Sequence, residues 1–162
     1  MKMKLHIFAI TFASLVITNI ARADDDDIRL TSLPASVQET IQDNLRGGRV
    51  DDIDRIQIEG RTMYKVEVEL QDRDDDDLKL YIAGDGALLK TREELRFNEL
   101  PSAVQDAARK FGGKVDDVEK EVSQGKISYH IEVDRDDDKS GDNDLKIVFA
   151  EDGSILSQRS DD

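Results

Sequence analysis

The sequence predicts an α+β fold of two tandem modules, each one helix packed on a four-stranded antiparallel sheet. Three observations predict it. The chain repeats itself, each repeat opens on an apolar stripe of helical spacing, and each continues into runs of alternating polarity broken by glycine turns.

The repeat is direct. Leu33-Pro34-Ala35-Ser36-Val37-Gln38 is matched by Leu100-Pro101-Ser102-Ala103-Val104-Gln105, and Gly47-Gly48-Arg49-Val50-Asp51-Asp52-Ile53 by Gly112-Gly113-Lys114-Val115-Asp116-Asp117-Val118. Asp72-Arg73-Asp74-Asp75-Asp76 recurs as Asp134-Arg135-Asp136-Asp137-Asp138, Leu78-Lys79-Leu80 as Leu145-Lys146-Ile147, and Asp85-Gly86 as Asp152-Gly153. The order is kept and the offsets run from 62 to 67 residues. The boundary falls near Arg96–Glu99, so the modules are taken as 24–97 and 98–162.

Within the first repeat, Pro34 suits the first helical turn, where its missing N–H costs nothing. Leu33, Val37, Ile41 and Leu45 then recur every four residues, and Gly47 is a left-handed stop. The second repeat has Leu100, Val104, Ala108 and Phe111 ending at Gly112. Short strands are expected at 53–58 and 118–122. Next, Tyr64, Val66, Val68 and Leu70 alternate with Lys65, Glu67 and Glu69, while Ile127, Tyr129, Ile131 and Val133 alternate with Ser128, His130, Glu132 and Asp134. Such alternation buries one face and leaves the other wet. Third strands at 78–82 and 145–149 lead through the Asp-Gly turns to fourth strands at 87–92 and 154–158. A module of about 65 residues is near the lower limit for a stable core. The two copies are therefore expected to support each other, one continuous sheet being one way to do so.

Residues 1–23 stand apart. Lys2 and Lys4 precede an apolar run from Leu5 to Ile20, followed by Ala21-Arg22-Ala23, the layout of a signal peptide cleaved after Ala23. The run spans 16 residues, interrupted by Thr, Ser and Asn, which is short of the roughly 20 a bilayer span needs. A retained N-terminal anchor is the alternative, but no stable membrane insertion is expected after cleavage, and the localisation expected is periplasmic or secreted. Loss of Lys2, Lys4 and Arg22 takes the basic residues from 23 to 20 against 37 acidic ones, a charge of −17 on 139 residues. A chain so acidic repels phosphate backbones and anionic lipid heads, so nucleic acid is not an expected partner, whereas cations and basic proteins are better ones. The absence of cysteine excludes disulfides, thiol catalysis and thiolate-bound zinc.

The Leu-Pro-x-x-Val helix start, the Gly-Gly or Gly-Lys turn, the Tyr-x-Val/Ile-x-Val strand and the Asp-Gly hairpin resemble the PepSY-like family, grouped with the beta-lactamase inhibitor protein. The resemblance covers both copies, nearly all of 30–160. It implies an exported, non-catalytic binding or inhibitory protein that engages a protein or peptide through exposed sheet faces. The inhibitor's contact residues have no counterpart motif here. The chain also departs from that protein in having no cysteines and in its long Asp runs, so inhibition of a beta-lactamase is not implied.

The residues agree that chemistry is scarce. His6 leaves with the signal peptide, so His130 is the one mature histidine, on the polar side of its strand. It reads as a general base or single metal ligand on one view and as a solvated surface histidine on the other; a hydrolase would have His130 alone in its favour. No nucleophile elbow or phosphate-binding glycine loop occurs, and no enzyme is expected. The sheet face that stays wet carries Lys65, Glu67, Glu69, Lys79 and Tyr81 in one copy and Ser128, His130, Glu132, Lys146 and Val148 in the other. Lys65, Glu67, Tyr81, His130 and Glu132 are the candidate partner-binding residues, with Tyr81 and His130 foremost because aromatic anchors dominate interface energy.

The acidic runs offer a second candidate. Asp74, Asp75, Asp76 and Asp77, and Asp134, Asp136, Asp138, Asp142 and Asp144, fall in equivalent connections between second and third strands. Clustered carboxylates repel one another, and bound Ca2+ would relieve that. Asp136-x-Asp138-x-Ser140-Gly141 copies the first half of a calcium loop, but its twelfth position is Ile147, not the bidentate Glu such a loop needs. Solvated hairpin ends that discourage edge pairing, cation binding, and docking of a basic partner all remain readings of these runs. No cofactor is required. If the loops hold calcium, millimolar Ca2+ raises the melting temperature and a chelator lowers it. No shift, or an equal shift after Asp136 and Asp138 are both changed to Asn, rules that out.

Overall fold

The computed structural model describes residues 28–71, 77–135 and 144–160, so the expected signal peptide lies outside the described residues. The first half runs α1 (Ala35–Asn44), β1 (Arg49–Ile58), β2 (Arg61–Glu69), β3 (Asp77–Ala83) and β4 (Leu88–Glu94). The second runs α2 (Ser102–Ala108), β5 (Lys114–Ser123), β6 (Lys126–Asp134), β7 (Leu145–Ala150) and β8 (Ile155–Ser160). The α+β class is as expected. The strands form one antiparallel sheet of eight in the order β1 to β8, because the edge of β4 is taken up by β5. No described helix is long and apolar enough to cross a membrane.

Both helices follow the apolar stripes. Leu33, Val37 and Ile41 are buried with Tyr64, Val66, Val68, Leu78, Leu80 and Ile82; Leu100, Val104 and Ala108 are buried with Tyr129, Ile131, Val133, Leu145, Ile147 and Phe149. Pro34 and Pro101 stand one residue before the helices and not within their first turns. Each offers its carbonyl to the N–H groups three and four residues on, at 3.0 Å in all four bonds. Gly112 ends the second helical segment at φ 66°, as the stop signal predicts. After α1 the left-handed turn starts one residue before the expected Gly47, at Arg46 with φ 50°, and Gly47 continues it at φ 86°. Directly opposed residues of antiparallel strands share a face. The register Val66–Leu80–Thr91–Val122–Ile127 therefore puts both cores, and both helices, on one side of the sheet.

β1 and β5 each begin four residues before their expected starts. The cause is a register shift between Val50 and Asp52, repeated between Val115 and Asp117. An extra residue at such a bulge breaks the period of two that a strand is read from.

The Asp-Gly turns are packed against the helices. The Gly86 N–H donates to the Ala83 carbonyl at 2.9 Å, and a Cβ on Gly86 would lie 2.6 Å from the Ser36 Cβ. A Cβ on Gly153 would lie 2.5 Å from the Ala103 carbonyl oxygen. With φ at 95° and 81°, both positions need glycine for conformation and for clearance. In urea unfolding, Gly153→Ala should therefore cost more than about 1 kcal/mol. Ile41→Ala, which empties a fully buried site, should cost about 2–5 kcal/mol. Leu156→Ala, at a 60 % exposed position, should stay within about 0.5 kcal/mol.

Candidate binding face

The side of the sheet away from the helices is crossed by charged rows, built by the same register. One runs Asp54–Lys65–Tyr81–Lys90–Ser123, the next Glu67–Lys79–Arg92–Glu121–Ser128, and a third Glu94–Glu119–His130–Val148–Ser157. Glu132 lies opposite Lys146 in a fourth. All five candidate binding residues, Lys65, Glu67, Tyr81, His130 and Glu132, thus lie on one face, and among the described residues no helix covers it.

At the middle of that face, where β4 meets β5, the charges form a network. The Arg92 Nε donates to Glu121 at 2.8 Å and its terminal nitrogen to Glu119 at 3.1 Å, while Lys90 lies 3.2 Å from Glu121 and Lys79 lies 3.6 Å from Glu119. The side chains are 16–29 % exposed, so the pairs are less screened than ordinary surface pairs. Burial works to raise the Glu121 carboxyl, but the bonds from Arg92 and the charge of Lys90 outweigh it and hold it below the usual range. Burial likewise opposes the Arg92 charge, and Glu121 and Glu119 overcome that to raise its pKa.

Tyr81 sits beside this network with the Lys90 ammonium 4.4 Å from its ring centroid, a cation–π contact. Lys65, opposite Tyr81, is held by Glu67 at 2.6 Å and Asp54 at 3.2 Å. Burial alone would lower the Lys65 ammonium, and those two carboxylates raise it instead. Glu132 lies 3.6 Å from Lys146 and is raised by burial against that attraction. His130 is 29 % exposed, less open than a freely solvated histidine, and sits 3.9 Å from Glu121 with Ser128 Oγ at 3.5 Å. Burial lowers its imidazole; Arg92 and Lys90 add to that, against Glu121 and Glu119.

The acidic runs are placed only in part. Asp74, Asp75, Asp76, Asp136, Asp138 and Asp142 lie outside the described residues. Asp77 opens β3, Asp134 closes β6, and Asp144 directly precedes β7. Among the described residues no three potential ligands come together as a metal site. Sequence reasoning missed Lys90, Arg92, Glu119 and Glu121. Their alternation was visible, but their meeting depends on β4 pairing with β5, which no local pattern encodes.

Solved structures share this architecture. A BLIP-like protein from Bacteroides fragilis superposes with a TM-score of 0.58 at 19 % identity, over 79 % of this chain and 86 % of that one. A DUF2874 family protein from Bacteroides uniformis gives 0.61 at 20 % identity, over 78 % and 88 %. A protein from Bacteroides eggerthii, provisionally described as periplasmic, gives 0.62 at 20 % identity, over 79 % and 88 %. The fold is the one these proteins share. At such identities the likeness is one of fold. No protein-family model matches the chain, and no curated protein matches it.

The setting of His130 has a pH signature. Its folded-state pKa lies below the ordinary 6.5, so on acidification the unfolded chain takes up the proton first. Stability present above about pH 6.5 is lost as pH falls towards the folded-state value. The melting temperature of His130→Gln should therefore decline less than that of the wild type between about pH 7 and pH 5. Parallel declines would contradict the buried setting.

Proposed function

We propose that this chain is an exported, non-catalytic binding protein built from two tandem PepSY-like modules, 24–97 and 98–162, which engages a protein or peptide through the open face of its sheet. One observation carries the reading: the helices cover a single side, and the other presents Tyr81 within a cluster of Lys65, Lys79, Lys90 and Arg92 flanked by carboxylates. A rigid aromatic ring framed by pre-positioned charges suits protein recognition, since the ring supplies desolvated contact area and the charges select register and orientation. The non-catalytic part of the reading is supported by the carboxylates of the network being bound to cations, and by the one hydroxyl near His130, Ser128 Oγ, standing at a long 3.5 Å from its Nε2. The BLIP-like and periplasmic descriptions of the structural neighbours support export and binding as the class of function.

The test is affinity capture from the envelope fraction of the source cells. The wild-type protein should retain a specific partner, and a Tyr81→Ala, His130→Ala variant with unchanged circular dichroism should lose most of it. Equal retention by the variant, or no specific partner for the wild type, would overturn the reading.

A further inference from the structure

The seam between β4 and β5 joins strands from two copies of one repeat, and among the described residues one strand of each kind stands at an edge of the sheet. β8 is the counterpart of β4, and β1 is the counterpart of β5. Their irregularities correspond: β3–β4 and β7–β8 shift register at Tyr81/Ile82 and Val148/Phe149, and β1 and β5 carry the bulges already described. The seam uses Glu119–Ser123, beyond the bulge of β5. The matching stretch of β1 is Asp54–Ile58, equally clear of its own bulge. We propose that the β8 edge binds the β1 edge of a second copy of this chain, repeating the internal seam between molecules and extending the sheet head to tail.

The register transfers residue by residue. Thr91 opposite Val122 becomes Gln158 opposite Gln57 of the next copy, and Glu93 opposite Lys120 becomes Ser160 opposite Arg55. Arg159 takes the place of Arg92, and Asp54 that of Glu119, whose carboxylate Arg92 reaches at 3.1 Å. Four of the five seam pairs transfer without opposing like charges; the fifth, Glu94 opposite Glu119 at the end of the seam, is an acid pair in the seam itself and transfers as one. The β8 edge also lacks the usual protection: residues 155–160 are exposed throughout and contain no Pro, Lys or acid, while Ile155 and Leu156 are 51 % and 60 % exposed. Neither ion pair of Glu121, with Arg92 or with Lys90, is reproduced, since Ile56 stands where Glu121 does and Ser157 where Lys90 does. The contact between copies is therefore weaker than the tethered one. A head-to-tail contact of this kind is heterologous and propagates unless it closes into a ring. The inference rests on the repeat and not on the open face, so either can fail alone.

Proline substitutions at the two edges test it. The Leu95 N–H donates to the Val118 carbonyl at 2.8 Å, so alternate residues of β4, Glu93 and Thr91, also aim their N–H at β5. Their counterparts Ser160 and Gln158 face outward on β8, and Arg55 and Gln57 face outward on β1. Gln158→Pro and Gln57→Pro thus remove a docking N–H without costing a bond to β7 or β2. In sedimentation velocity from about 10 µM to about 1 mM, the exported wild-type protein should pass from monomer to species larger than dimer. Each proline variant alone should stay monomeric, and their mixture should stop at dimer. Charge reversal is the second arm: Arg159→Glu and Asp54→Arg copies should each associate less alone and recover association when mixed. A monomeric wild type at every concentration, association that survives both prolines, or reversed charges that fail to recover on mixing would each overturn the proposal.

Discussion

The structure depends on the pairing of β4 with β5. Without it the chain would be two small α+β units, each presenting a narrow sheet with an exposed edge. With it there is one broad surface, and the residues that hold the seam are also the centre of that surface. Arg92 spans the joint through Glu119 and Glu121, with Lys90 and Lys79 on the same carboxylates. Main-chain hydrogen bonds run along the seam, and the observed register sets Arg92 directly opposite Glu121, the closest ion pair across it.

A second consequence concerns the two sides of the sheet. Each half carries its own apolar core beneath its own helix, and both helices lie on the same side. Among the described residues no helix of either half covers the other side, so duplication enlarges the open surface without enlarging the need to bury it. Tyr81 and His130 come from different halves but lie on opposite flanks of the same ion network, so a partner meeting both would read the seam between them.

Much of this fold was legible in the sequence because burial and spacing carry it. The every-fourth-residue stripe through Val37 and Ile41, the alternation from Tyr64 to Val68 and the glycines at Gly47 and Gly86 each encode a local constraint. The first residues of β1 and β5 were not legible, because bulges erase alternation where they occur. The ion network was not legible either. Arg92 and Glu121 lie 29 residues apart on strands separated by a helix, and whether an edge strand finds a partner is a tertiary property. The candidate face was found residue by residue from the polar positions of β2, β3, β6 and β7. What the structure adds is the joint that makes those positions neighbours.

Native-state hydrogen exchange at the seam tests the central claim most directly. If β4 and β5 are interior strands of one sheet, the Leu95 amide, bonded to Val118, and the Thr91 and Glu93 amides beside it exchange as slowly as those of Val66 and Leu80. If those seam amides exchange at the rate of the free edge in β8 while the two cores stay protected, the halves are independent. The single open face would then not exist.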